Sequence, residues 1–174
     1  MTDISSNKVA IITGGSRGVG TATAKLLASK GWNVTITCTS SMDDANNVLK
    51  ECEEYGTEAM AIAADVSEDI SCRKTVEETI KKWGRIDALV NNAGTTKFVF
   101  NHADLDGLDA EDFLHIYKVN VVGPFQMVRA CKDMLLKSDN PSVVNISSIA
   151  GIKGIGSCMA CLLYTSDAAD DVRS

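Results

Sequence analysis

The segment TGGSRGVG, Thr13 to Gly20, sets Gly14, Gly18 and Gly20 in a GxxxGxG spacing between a short apolar run and an amphipathic one. Glycines at such places let the backbone turn tightly and pass close to a ligand, with Gly15, Ser16, Arg17 and Val19 carried on the same turn. A helix that starts directly after the turn offers N–H groups without intrahelical partners and a positive dipole end. The chemistry this suits is the holding of a pyrophosphate. A glycine triplet alone fits a plain tight turn equally well.

Further polar residues fall at the ends of the later apolar runs, where open α/β sheets bind ligands. They are Asp65-Val66, the quartet Asn91-Asn92-Ala93-Gly94, and the serines Ser147 and Ser148. For Asn91 and Asn92, strand-end hydrogen bonding is a compatible structural role. Asn120 stands four residues before Pro124. Proline has no N–H, so the Asn120 carbonyl loses its ordinary helical partner and must bond elsewhere at a kink. A kink without a chemical role is the competing reading. At the end of the second apolar run, where an acidic residue would bind the ribose 2′-hydroxyl of NAD, Cys38 is followed by Thr39, Ser40 and Ser41. With Arg17 facing the same pocket, a 2′-phosphate would meet a cation and hydroxyl donors, so NADP(H) is the preferred cofactor over NAD(H). Asp43 and Asp44 fit the start of the next helix as caps. A shift of that boundary would bring one of them to the ribose and favour NAD(H).

The elements that must position these residues alternate between short strands and helices, which predicts βαβ units and a parallel sheet. Strands are expected at Lys8 to Thr13, Asn33 to Cys38, EAMAIAAD ending at Asp65, DALVNNAG, and Ser142 to Ser148. The first helix, Val19 to Lys30, carries Val19, Ala22 and Leu26 at helical spacing and Gly31 at its C-terminal cap. The second buries Ala45, Val48, Leu49 and Cys52, and the third buries Cys72, Val76, Ile80 and Trp83 before stopping at Gly84. Asp109, with Asp112 three residues on, starts a long helix that buries Phe113, Ile116, Val128 and Leu135.

With 174 residues, 45% hydrophobic and 23% charged, the chain suits one soluble globular domain. A net charge of −6 without a Lys/Arg-rich stripe argues against nucleic acid. The start MTDISSNK has no apolar leader, and no run is long enough to span a bilayer, so no membrane partner and a cytoplasmic protein are expected. Cys38, Cys52, Cys72, Cys131, Cys158 and Cys161 read as free thiols. Cys158 and Cys161 form a single CxxC with no second pair or histidine to complete a zinc set, so no metal is expected.

The glycine loop, Asp65-Val66, NNAG, Asn120 and NISSIAG at Asn145 to Gly151 follow one another as the motifs of the short-chain dehydrogenase/reductase family do. The chain resembles that family over residues 8 to 151, in the manner of its 3-oxoacyl-carrier-protein reductases. The resemblance implies a Rossmann-like doubly wound α/β domain that passes hydride between NADP(H) and a carbonyl or alcohol, in a homo-oligomer, dimer or tetramer. It also implies roles for residues. Asp65 and Val66 flank the adenine, and Asn92, with Ala93 and Gly94, lies against the cofactor. Asn120 holds a water of the proton relay. Ser148, which precedes Ile149, Ala150 and Gly151 as the family's serine precedes x-x-Gly, is preferred to Ser147. Its hydroxyl would bond the substrate carbonyl and steady oxyanion character. His102 and His115 read as ordinary loop or helix-surface residues, so a Ser-His-Asp hydrolase is not indicated.

The family's Tyr-x-x-x-Lys is due thirteen residues past the serine, where this chain has Cys161, with Thr165 at the lysine position. Tyr164 is three residues late and has Ala168 four places on. The tail CLLYTSDAADD resembles the translation of a transposase-type sequencing adapter. The expectation is therefore a single domain truncated after the fifth strand. Residues 1–160 would form an incomplete cofactor-binding domain, and 161–174 a non-native or disordered tail without catalysis. A non-catalytic nucleotide-binding or interaction protein is the alternative.

Overall fold

A computed structural model of the chain describes residues 5–99, 101, 104–149, 158 and 160. Five strands, β1 (Val9–Ile12), β2 (Asn33–Cys38), β3 (Ala59–Ala63), β4 (Ala88–Asn91) and β5 (Ser142–Asn145), pair in parallel in the order β3-β2-β1-β4-β5. All four residues of β1 are buried, the apolar run expected of a strand covered on both faces. Successive residues face opposite ways. Ala10 and Ile12 pack with Val34, Ile36, Ala24 and Cys52 under α1 (Gly18–Ser29) and α2 (Met42–Glu53). Ile11 and Leu89 pack with Val76, Met127 and Cys131 under α3 (Asp69–Trp83) and α5 (Gly123–Leu135). The strand order reverses between β1 and β4, which opens a crevice at the carboxyl ends of the strands. Among the described residues, no helix is long and apolar enough to cross a membrane.

Helix α1 turns a different face inward from the one its large apolar residues suggest. Val19 and Leu26 are 57% and 60% exposed, while Gly20, Ala24 and Ala28 are buried. Small residues line the inner face because the helix lies close over the glycine loop and β2. Helix α2 buries Ala45, Val48 and Cys52 with Leu49 half-buried, and α3 ends on a left-handed Gly84, both as expected.

The long helix expected from Asp109 begins there with a reciprocal cap. The Asp112 N–H donates to Asp109 at 2.9 Å and the Asp109 N–H donates to the Asp112 carboxylate at 3.0 Å. It is not one helix: α4 (Ala110–Tyr117) passes through a π-helical segment (Lys118–Val122) into α5. The Gly123 N–H reaches back to the Lys118 carbonyl. Pro124 cannot donate to Asn120, and the wider turn takes up the mismatch where a simple kink was expected. Ile116 and Leu135 are buried, with Phe113 and Val128 half-buried. Strands β3 and β5 stop at Ala63 and Asn145, short of the expected Asp65 and Ser148, which leaves both polar residues on loops beyond the sheet.

At the opposite end of the strands, the buried Asp87 joins three elements. It accepts the Val9 N–H at 2.8 Å, two Arg85 donors at 2.8 and 2.9 Å, and the Ser138 hydroxyl at 2.7 Å. Burial works to raise its pKa, but Arg85, the Val9 N–H and Ser138 together hold it below the usual carboxylate range.

Candidate functional site

The glycine loop leaves β1 and is tied to the neighbouring strand ends. Thr13 Oγ1 accepts the N–H groups of Asn92 and Ala93, each at 3.0 Å. Asn92 Nδ2 donates to the carbonyls of Thr13 and Gly14, each at 2.9 Å. The Gly15 N–H donates to the Thr37 carbonyl at 2.9 Å, so β2 and β4 both hold the loop. Gly14 and Gly18 have φ of +64° and +57°, a region costly for other L-residues. Helix α1 then starts with no side-chain cap on its N-terminus and no acidic residue in its first turn. Its positive end is thus left for an outside anion.

Beside this loop lies a cavity of about 410 Å³ lined by three neighbouring strand ends and α4. It gathers nine of the residues singled out from sequence: Gly14, Ser16, Arg17, Thr39, Asp65, Val66, Asn92, Ala93 and Gly94. Gly15, Gly18, Val19 and Gly20 shape the turn without lining the cavity, and Asn120 and Ser148 also lie outside its lining. Cys38, Ser40 and Ser41 complete the wall at the end of β2. Burial pushes the Cys38 thiol upward, and its Sγ donates to Met42 Sδ at 3.2 Å, so this position presents no negative charge. Asp43 and Asp44 sit in the first turn of α2 and do not line the cavity. Among the described lining residues, Arg17 is the one Lys/Arg cation and Asp65 the one carboxylate. Asp65 Oδ1 accepts the Ser67 N–H at 2.9 Å, which fixes the turn after β3. The Val66 carbonyl accepts Gln126 Nε2 at 2.8 Å, which anchors that turn to α5.

Asn120 works through its side chain. Its Oδ1 accepts the Thr95 N–H at 2.8 Å, and its Nδ2 donates to the Thr95 carbonyl at 2.9 Å. This clamp fixes the path of the chain as it leaves NNAG. Asn91 Nδ2 donates to Asn145 Oδ1 at 2.9 Å, coupling β4 to the strand that leads to Ser148. Ser148 itself is exposed. His102, Gly151, Cys161, Tyr164, Thr165 and the tail 161–174 lie outside the described residues. Sequence reasoning missed His115, which lines the cavity although it was read as an ordinary surface residue. Its signal was the spacing to Val119, one helical turn on and also in the lining. Burial pushes the thiols of Cys52 and Cys72 to about 11 and that of Cys131 to about 12, which disfavours the thiolate that a nucleophile needs.

The sequence profile of the short chain dehydrogenase family matches residues 8–165. The 3-oxoacyl-[acyl-carrier-protein] reductase of Synechocystis sp. is 35% identical over 147 residues, covering 84% of this chain and 58% of the relative. A short-chain dehydrogenase/reductase from Burkholderia xenovorans superposes with a TM-score of 0.88 at 38% identity, over 97% of this chain and 70% of that one. A blue fluorescent protein from a metagenomic library, solved in complex with NADPH, superposes with a TM-score of 0.81 at 29% identity, over 95% of this chain and 65% of that one. The chain spans about three fifths of the length of the curated relatives it matches. These findings correct the expectation of a fold truncated after the fifth strand, since the match to that solved structure covers 97% of this chain. The count that placed Cys161 and Thr165 at the tyrosine and lysine positions concerns two side chains. Side-chain identity at two sites does not set where a backbone fold ends. The chain belongs to the short chain dehydrogenase family.

Proposed function

We propose that the cavity binds NADP(H) and that the function is hydride exchange between this dinucleotide and a carbonyl or alcohol, with a 3-oxoacyl thioester as the first substrate to try. The observation that carries this is the pairing of Arg17 with Thr39, Ser40 and Ser41 in one cavity, where the end of β2 supplies Cys38 in place of a carboxylate. A 2′-phosphate gains a cation and hydroxyl donors there, whereas NAD(H) gains no acidic partner for its 2′-hydroxyl. The pyrophosphate would lie on the uncapped start of α1, and Asp65 and Val66 would flank the adenine. When bound, the dinucleotide supplies or accepts the hydride. Ser148 would hold the substrate oxygen through its hydroxyl, and Asn120 would fix the loop beside the cofactor and hold a water near it. The working form is proposed to be a cytosolic homo-oligomer, a dimer or tetramer.

A second reading is favoured by the motif count: thirteen residues past Ser148, where the family's tyrosine is due, the sequence has Cys161, with Thr165 where the lysine is due. On that reading this chain binds the dinucleotide without turning over a substrate, because the family's proton-donating tyrosine is missing from its place in the motif. The tail 161–174 is proposed on that reading to be non-native, although the family profile reaches residue 165, and genomic codons 158–174 that encode it would remove that part of the reading.

Titration of the purified chain, followed by quenching of tryptophan fluorescence, should show NADPH binding at least about tenfold tighter than NADH, the size of one charge-assisted contact. Arg17→Ala should erase most of that difference. Equal affinity of the unaltered chain for both dinucleotides would sink the assignment of Arg17 and Thr39. In the same preparation, the second reading expects reduction of a 3-oxoacyl thioester to stay at background, and turnover at ordinary enzyme rates would overturn it in favour of hydride transfer.

A further inference from the structure

Helix α4 and the π-helical segment that continues it contribute two residues of opposite character to the cavity. Val119 is buried and packs in the same core as Val66, whose side chain also lies against Gly123. His115 stands one helical turn before Val119 on the same face and is solvent-exposed at the rim. Its neighbour Ile116 turns the other way, into a small cluster with Phe113 and Leu108. That packing fixes the rotation of α4 and commits the His115 face to the cavity. The lining joins His115 to Asp65, Val66 and Thr39 and leaves out Ser148. His115 therefore shares the cavity wall with residues from the ends of β2 and β3.

We infer that His115 forms the outer wall of the base slot, with Val66 and Val119 as its floor, and that its imidazole stacks on a bound purine. This deepens the proposed function and rests on it. The chemistry needs only a planar ring at the mouth of an apolar slot, since every nucleobase has a π-face. Exposure of the side chain means that truncating it removes no core packing, so the fold should be untouched.

The probes are NADPH and adenosine 2′,5′-bisphosphate, titrated by isothermal calorimetry into the full chain and its variants. His115→Ala should weaken both by about five- to tenfold, the low end of what one base stack contributes. His115→Phe should restore most of the loss, because it keeps the planar ring, and His115→Gln should not. Thermal melting of all three variants should coincide with that of the parent chain. Two outcomes overturn the inference. Parent-like binding by His115→Ala while the unaltered chain binds both probes removes the role of His115 and leaves the cofactor reading standing. An unaltered chain that binds neither probe removes both together.

Discussion

Asp87→Ala is expected to be among the most destabilising single substitutions in the chain, by about 3–5 kcal/mol, the range seen when one member of a buried ion pair is removed. The carboxylate is 1% exposed and receives four donors, from Val9, Arg85 and Ser138. Removing it leaves the Val9 N–H and the Arg85 Nε and Nη2 donors without their acceptor at the point where β1 and β4 begin, while Arg85 Nη1 keeps its bond to the Ser5 carbonyl at 3.1 Å. For a domain of this size the melting temperature should fall by about 6–20 °C. The same group makes the protein acid-sensitive. Its folded pKa lies below that of an unfolded aspartate, so its contribution is present above a pH of about 4 and is lost as pH falls through the folded value. Thermal melts from pH 7 to pH 3 should therefore drop more steeply for the parent than for Asp87→Ala. Parallel curves would show that Asp87 is not the linked group. Asp87 lies at the amino ends of the strands, so the folded fraction of the variant should still bind NADPH with parent affinity.

The parallel sheet was legible because its signals are local and redundant. The buried runs VAII and NVTITC, glycines past helix ends, and the Asp109–Asp112 cap each point to one element without help from the rest of the chain. The inner face of α1 was not legible. Periodicity weighs Val19 and Leu26 as core, but the deciding quantity is how near the helix must come to the loop, a tertiary distance that selects glycine and alanine. The π-helical segment was half legible: Pro124 announces a broken ladder but not whether the chain bends or widens its turn. Motif positions brought nine site residues into one cavity, since strand ends converge in any sheet of this topology. His115 escaped because helix residues reach a site by rotation about the helix axis, and that rotation is set by packing partners such as Ile116 that are distant in sequence.

Gly20→Val should nearly abolish dinucleotide binding, while Gly18→Ala should weaken it only mildly, although both glycines belong to one motif. A Cβ at Gly20 would run into the Gly14 carbonyl oxygen and lie 2.6 Å from Asn92 Nδ2 and 3.0 Å from the Gly15 Cα. Backbone atoms on the far side of a tight loop cannot swing away as a flexible side chain can. The helix must lift or the loop must open, and either breaks the two 2.9 Å bonds from Asn92 that hold the loop to β4. N–H groups displaced from a phosphate forfeit roughly 1.5–3 kcal/mol each, so the loss of even two corresponds to about 100-fold in affinity or more. At Gly18 a Cβ meets nothing within 4 Å, and the only cost is the left-handed φ of +57°, about 1 kcal/mol. Calorimetric titration with NADPH, alongside melts showing both variants folded, checks the ordering. Equal losses at the two positions would mean that loop conformation, rather than the close approach of α1 to the loop, governs binding, and the packing account of the small-residue face of α1 would fall with it.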